Sequence, residues 1–138
     1  MTDNPKQDET AALVHWTYSR EEWRTFMHWK KKNKGLFHYI LHRLSPKLNL
    51  KTPNVTITSG KVSIDDKHEP FHDNDRQLQR INIRDAGKMN VMEISYQRND
   101  LPNAGPKEIH IPVPKGRLKE AIGVEEKLNE IRNTNRQG

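Results

Sequence analysis

Apolar residues alternate with polar ones through most of the second half of the chain. Val55-Thr56-Ile57-Thr58 and Lys61-Val62-Ser63-Ile64 flank Ser59-Gly60. Alternating β-branched residues around a two-residue glycine turn predict a hairpin. Ile81 and Ile83 share one face of a strand over Gln77 to Arg84. Met92, Ile94 and Tyr96 share one face of a strand over Asn90 to Gln97. Asp85-Ala86-Gly87-Lys88 turns the chain between them, and Asn99 to Pro106 is a loop. Ile109, Ile111 and Val113 alternate once more. Asp65 to Asp75 reads as a polar loop with a short edge strand near His68 to Phe71. The period then changes. Leu118, Ala121, Ile122, Val124, Leu128 and Ile131 recur at helical spacing after Pro114 and Gly116.

The first half is mostly helical in pattern. Leu13 to Tyr18 alternates as a short strand. Ser19-Arg20-Glu21-Glu22 is a capping box, with a hydroxyl to accept the early helix N–H groups and a glutamate to reach back. Trp23, Phe26, Met27 and Lys30 follow at helical spacing, and Gly35 is a C-terminal stop. A second helix is predicted over Leu36 to Leu44, ended by Ser45-Pro46. Lys47 to Pro53 is a connector.

Short loops between consecutive strands favour antiparallel pairing, so the predicted class is α+β. The expected architecture is an antiparallel β-meander sheet with an N-terminal helical segment and a C-terminal capping helix. One domain spans 13–132. Residues 13–50 supply the strand and basic helical segment, and 54–132 the sheet and final helix. The polar stretches 1–12 and 133–138 are expected to be disordered tails.

The hydrophobic fraction is 32% and the charged fraction 30%, which sets a modest core. Cysteine is absent, which excludes disulfides, thiolate metal sites and cysteine nucleophiles. The N-terminus is polar rather than signal-like. No run approaches the roughly 20 apolar residues of a membrane span. The expectation is a soluble, cytoplasmic protein.

The net charge of +6 is unevenly spread. From Trp23 to Ile64 there is no Asp or Glu, while Arg24, Lys30, Lys31, Lys32, Lys34, Arg43, Lys47, Lys51 and Lys61 all fall there. The rest of the chain is slightly acidic. This asymmetry points to an anionic partner for the basic segment: a nucleic acid, a membrane surface or an acidic protein. Arg24, Lys30, Lys31, Lys32 and Lys34 are the candidate contact residues. Trp16, Tyr18, Trp23, Trp29, Phe37 and Tyr39 lie nearby, suited to stacking on bases or to a lipid interface. The plainer reading makes Trp23, Phe26 and Met27 the helix's core face, with the lysines complementing its dipole.

Catalytic chemistry finds little footing. Asp65 to Asp75 gathers His68, His72 and several carboxylates, but Pro70 disfavours a helix that would put both histidines on one face. The stretch also lacks the EF-hand pattern, and a solvated loop is the simpler reading. His38 and His42 are four apart on a predicted helix, without the glutamate of a zincin motif. No nucleophile elbow or phosphate-cradling glycine loop occurs. No metal site, cofactor or enzymatic activity is expected.

Val55 to Ile64, Ile81 to Ile83, Met92 to Tyr96 and Ile109 to Leu128 together resemble the bacterial pleckstrin-homology-like (PH-like) domains. In those, a bent antiparallel sheet, a half barrel, is closed at one corner by a C-terminal helix. The opening Trp16-Thr17-Tyr18-Ser19-Arg20-Glu21-Glu22-Trp23 is similar to the start of small bacterial proteins of this type, which continue into a membrane hairpin. Leu36 to Leu44 stands where that hairpin would be and is too short and too charged to span. Such domains usually have seven strands, whereas five or six are counted here. The resemblance implies binding or scaffolding rather than catalysis and assigns no residue a role.

The expected function is therefore a non-enzymatic interaction module, contacting an anionic or protein partner through its basic N-terminal helical region. A nucleic-acid-binding protein is the alternative, and a metal-dependent enzyme using the histidine–carboxylate loop ranks third. An apolar face left exposed on Leu36 to Leu44 or on the last helix would signal a dimer.

Overall fold

The computed structural model describes residues 11–32 and 52–137. Its order is β1 (Val14–Trp16), α1 (Arg20–Lys32), β2 (Val55–Ile57), β3 (Lys61–Ile64), β4 (Lys67–Pro70), β5 (Arg76–Asp85), β6 (Asn90–Arg98), β7 (Lys107–Val113) and α2 (Leu118–Gln137). A short 3-10 turn, Pro102–Ala104, interrupts the β6–β7 loop. The fold is α+β. One sheet has the order β1-β2-β3-β4 and the other β5-β6-β7, all antiparallel, and they do not close into a barrel.

The described residues hold seven strands, against the five or six expected. The strand predicted near His68 is β4, which pairs Lys61 with Pro70 and Val62 with Glu69. The β2–β3 hairpin forms as its glycine turn requires. Thr58 N–H donates to the Lys61 carbonyl at 2.9 Å, and Thr58 Oγ1 accepts from the Gly60 and Lys61 N–H groups. Gly60 is needed for a close approach, because a Cβ there would sit 2.9 Å from the His72 carbonyl oxygen.

The register of the second sheet sorts its two faces. Met92 lies between Ile83 and Ile111, and Ile94 between Ile81 and Ile109. This apolar face joins Val55, Ile57, Val62 and Phe71, together with Ala121, Val124 and Leu128 of α2, in one buried cluster. Burying each large aliphatic side chain contributes about 1.5–3 kcal/mol. The opposite face carries Val91, Glu93 and Ser95, paired with Pro112, His110 and Glu108.

Helix α1 covers part of that opposite face. Its capping box is complete: Ser19 N–H donates to Glu22 Oε1 at 2.7 Å, and Glu22 N–H donates to Ser19 Oγ at 3.1 Å. Glu22 Oε2 also accepts from Lys115 N–H at 2.6 Å, and buried Tyr18 donates to the Pro112 carbonyl at 2.8 Å. Burial, reinforced by the Glu22 charge, holds the Tyr18 hydroxyl well above its ordinary pKa, so it stays a donor.

Helix α2 departs from expectation at both ends. It runs on to Gln137, into the segment expected to be a disordered tail. Leu118 and Ile122, assigned to its apolar stripe, are exposed, while Ala121, Val124 and Leu128 are buried. The helix buries a narrower face than its sequence offers, because it packs along one side of the sheets, with Arg132 donating to the Gln79 carbonyl. The predicted helix Leu36 to Leu44, with His38 and His42, lies outside the described residues.

Candidate functional site

The basic segment separates into an outside and an inside. Trp23, Phe26 and Lys30 recur at spacings of three and four, and all three are buried. Arg20, Arg24, His28 and Lys31 fall on the opposite side of the same helix, and all four are exposed. Of the five predicted contact residues, Arg24 and Lys31 are thus on the surface. Lys32 is the last described residue of α1, and Lys34 lies outside the described residues. Lys30 is a correction, since only 3% of its surface remains exposed. Arg20 and His28 share the exposed side with Arg24 and Lys31. Their signal was legible, because both sit four residues from Arg24.

The aromatic residues near the lysines are mostly interior. Trp16, Tyr18 and Trp23 belong to the core, and Trp16 Nε1 donates to Glu120 Oε1 of α2 at 3.0 Å. Trp29 is half-buried and meets the His110 ring edge-on, with centroids 5.6 Å apart. The Arg84 guanidinium carbon lies 6.0 Å from the Trp29 ring centroid. Phe37 and Tyr39 lie outside the described residues.

Lys30 enters a polar cluster on the outer face of the second sheet. The register places Asn82, Glu93 and His110 side by side on β5, β6 and β7. Glu93 accepts from Asn82 Nδ2 and from Arg84 Nη1, each at 3.0 Å. His110 Nε2 lies 3.2 Å from Glu108 Oε1 and 3.4 Å from Glu93 Oε2. Its Nδ1 is in hydrogen-bond contact with Lys30 Nζ. Burial lowers the Lys30 pKa to about 8, a drop limited by the charges of Glu108 and Glu93. Burial also lowers that of His110, and the Lys30 charge lowers it further against the pull of the two glutamates. Sequence reasoning missed His110. Alternation placed it on the polar face of β7, but only the strand register brings it beside Glu93.

The histidine–carboxylate loop does not assemble a ligand set. His68 lies on β4, with its Nδ1 in hydrogen-bond contact with the Ser63 hydroxyl at 2.7 Å, and His72 follows the strand. Among the described residues, no three His, Asp or Glu side chains come together as metal ligands. A cleft of about 650 Å³ opens beside the start of α1 and the β7–α2 loop, and exposed Leu118 helps to line it. Its lining mixes Lys88 and Lys115 with Glu21 and Glu22, so the charges oppose one another. No described helix is long and apolar enough to cross a membrane. No known protein family, curated protein or solved structure matches the chain.

Proposed function

We propose that this protein is a non-enzymatic interaction module that engages an anionic partner through the exposed face of α1. The observation that carries this reading is the row Arg20, Arg24, His28 and Lys31, at spacings of four, four and three on one solvent-facing side. Such a row attracts a surface of opposite charge, as long cationic side chains reach outward from a rigid helix. The PH-like reading of the fold is part of the same proposal. It is supported by the seven strands of the described residues, divided four and three and followed by a C-terminal helix.

The nucleic-acid alternative draws less support. Base stacking needs accessible aromatic faces, and Trp16, Tyr18 and Trp23 are committed to the core. The experiment is binding of the full chain to vesicles containing anionic lipid, to short DNA and RNA, and to an acidic peptide, each titrated with salt. The reading expects an anionic probe to bind with affinity that falls as salt rises. A slope near one log unit per phosphate contact with DNA or RNA would favour the nucleic-acid alternative. No binding to any probe at low salt would refute the proposal.

A further inference from the structure

The Lys30–His110 contact differs from an ion pair in what each partner supplies. An ammonium only donates, so His110 Nδ1 must present its lone pair and the ring proton must sit on Nε2. Nε2 then points its proton toward Glu108 and Glu93. Both ring nitrogens are therefore committed. A second ring proton has one place to go, Nδ1, and there it would meet the Lys30 ammonium head-on.

We propose that Lys30 and His110 form a proton-operated latch: the neutral imidazole holds the stretch of α1 around Lys30 on the β5–β7 sheet, and the imidazolium releases it. The step adds one proton from solvent to Nδ1 and breaks one hydrogen bond, that from Lys30 Nζ. The groups facing the ring come from four elements. Lys30 reaches it from α1, Arg80, Asn82 and Arg84 stand on β5, Glu93 on β6, and Glu108 on β7. The two glutamates favour an imidazolium. The Lys30 and Arg84 charges oppose it, and Lys30 is the one in contact. Burial adds to that opposition, since the His110 side chain is only 5% exposed.

Release falls on the helix rather than on the sheet. His110 and Glu93 sit in paired strands, and β6 is bonded on both sides. Lys30 belongs to α1, which meets this part of the sheet through the side chains of Trp29 and Lys30 rather than through ladder hydrogen bonds. Trp29, edge-on to the same imidazole, would leave with it. The inference does not depend on what the exposed face of α1 binds.

The test is amide hydrogen exchange of the intact protein from about pH 7.5 to about pH 5, corrected for intrinsic rates. Wild type is expected to lose protection at residues 28–32 by about tenfold or more on acidification, with β5, β6 and β7 still protected. In His110→Gln and Lys30→Met the same amides should show no such loss. A flat wild-type profile would overturn the latch, as would an unchanged loss in His110→Gln or a simultaneous loss in the sheet. Should either variant fail to fold, the wild-type His110 ring titration followed by NMR decides. A midpoint below 6.5, shared by the Trp29 indole, supports the latch. A midpoint at or above 6.5, or an unmoved Trp29, overturns it.

Discussion

Lys30 and Lys31 are neighbours in the chain and face opposite ways, Lys30 into the cluster beneath α1 and Lys31 into solvent. One residue is a 100° step around a helix, enough to carry a side chain from the packed side to the open side. Amine acylation followed by peptide mass mapping should therefore modify Lys31 far faster than Lys30 in the native protein. The difference should vanish in denaturant. Equal native reactivity would place Lys30 outside.

The same burial gives stability a pH dependence of fixed sign. Lys30 titrates near 8 when folded and near 10.5 when unfolded. Between those values the unfolded chain holds the extra proton, so stability rises with pH. The gain is at most about 3 kcal/mol, at 1.36 kcal/mol per pKa unit. His110 is depressed below 6.5 when folded, so stability falls as pH drops below 6.5 and levels off once the folded ring is also protonated. Urea midpoints across pH should show both limbs. Lys30→Met should flatten the alkaline one and His110→Gln the acidic one.

The two sheets are tied by Tyr96, whose hydroxyl donates to Glu69 Oε2 at 2.5 Å. A hydrogen bond to a charged acceptor contributes about 1.5–3 kcal/mol. Tyr96→Phe should lower unfolding free energy by about that much without changing the secondary structure seen by circular dichroism. A loss well under 0.5 kcal/mol, within the ordinary surface range, would mean this hydrogen bond adds little to holding the sheets together.

Two glycines should respond to alanine with opposite signs. Gly60→Ala drives a Cβ to 2.9 Å from the His72 carbonyl oxygen, a backbone atom that cannot swing away. A cost of about 1–3 kcal/mol is expected, typical of forced overpacking. Gly123 is exposed in the interior of α2, with nothing within 4 Å of an added Cβ. Gly123→Ala should stabilise by about 0.5–1 kcal/mol through helix propensity. Thermal melts of the two single variants check both signs.

Local chemistry was legible where a few neighbouring residues decide the outcome. Ser19 and Glu22 announced the start of α1, and Ser59-Gly60 announced the β2–β3 turn, because each satisfies its own backbone groups. Alternation around Ile94 and Ile111 marked the core face of the second sheet. What escaped depends on distant packing. Lys30 lay on the apolar stripe by spacing, yet a lysine is normally placed in water. Only the strand register, which brings Glu93 beside His110, supplies the polar setting that accepts it. Leu118 and Ile122 were counted as core because helical spacing cannot tell how wide a face the sheets will cover. On the exposed side of α1, Arg24 and Lys31 were singled out by charge, whereas Arg20 and His28, though spaced four residues from Arg24, were not.

The most direct measurement compares affinities for a probe that the wild-type chain binds, at one low salt concentration, for two variants. Arg24→Ala with Lys31→Ala removes two charges from the exposed face, and Lys30→Met removes one charge from the interior. The account predicts that the double variant weakens binding about tenfold or more, at roughly 1 kcal/mol per cation, while Lys30→Met binds within about twofold of wild type near neutral pH, the scale of a surface change of a few tenths of a kcal/mol. Equal losses in both, or a loss confined to Lys30→Met, would contradict it.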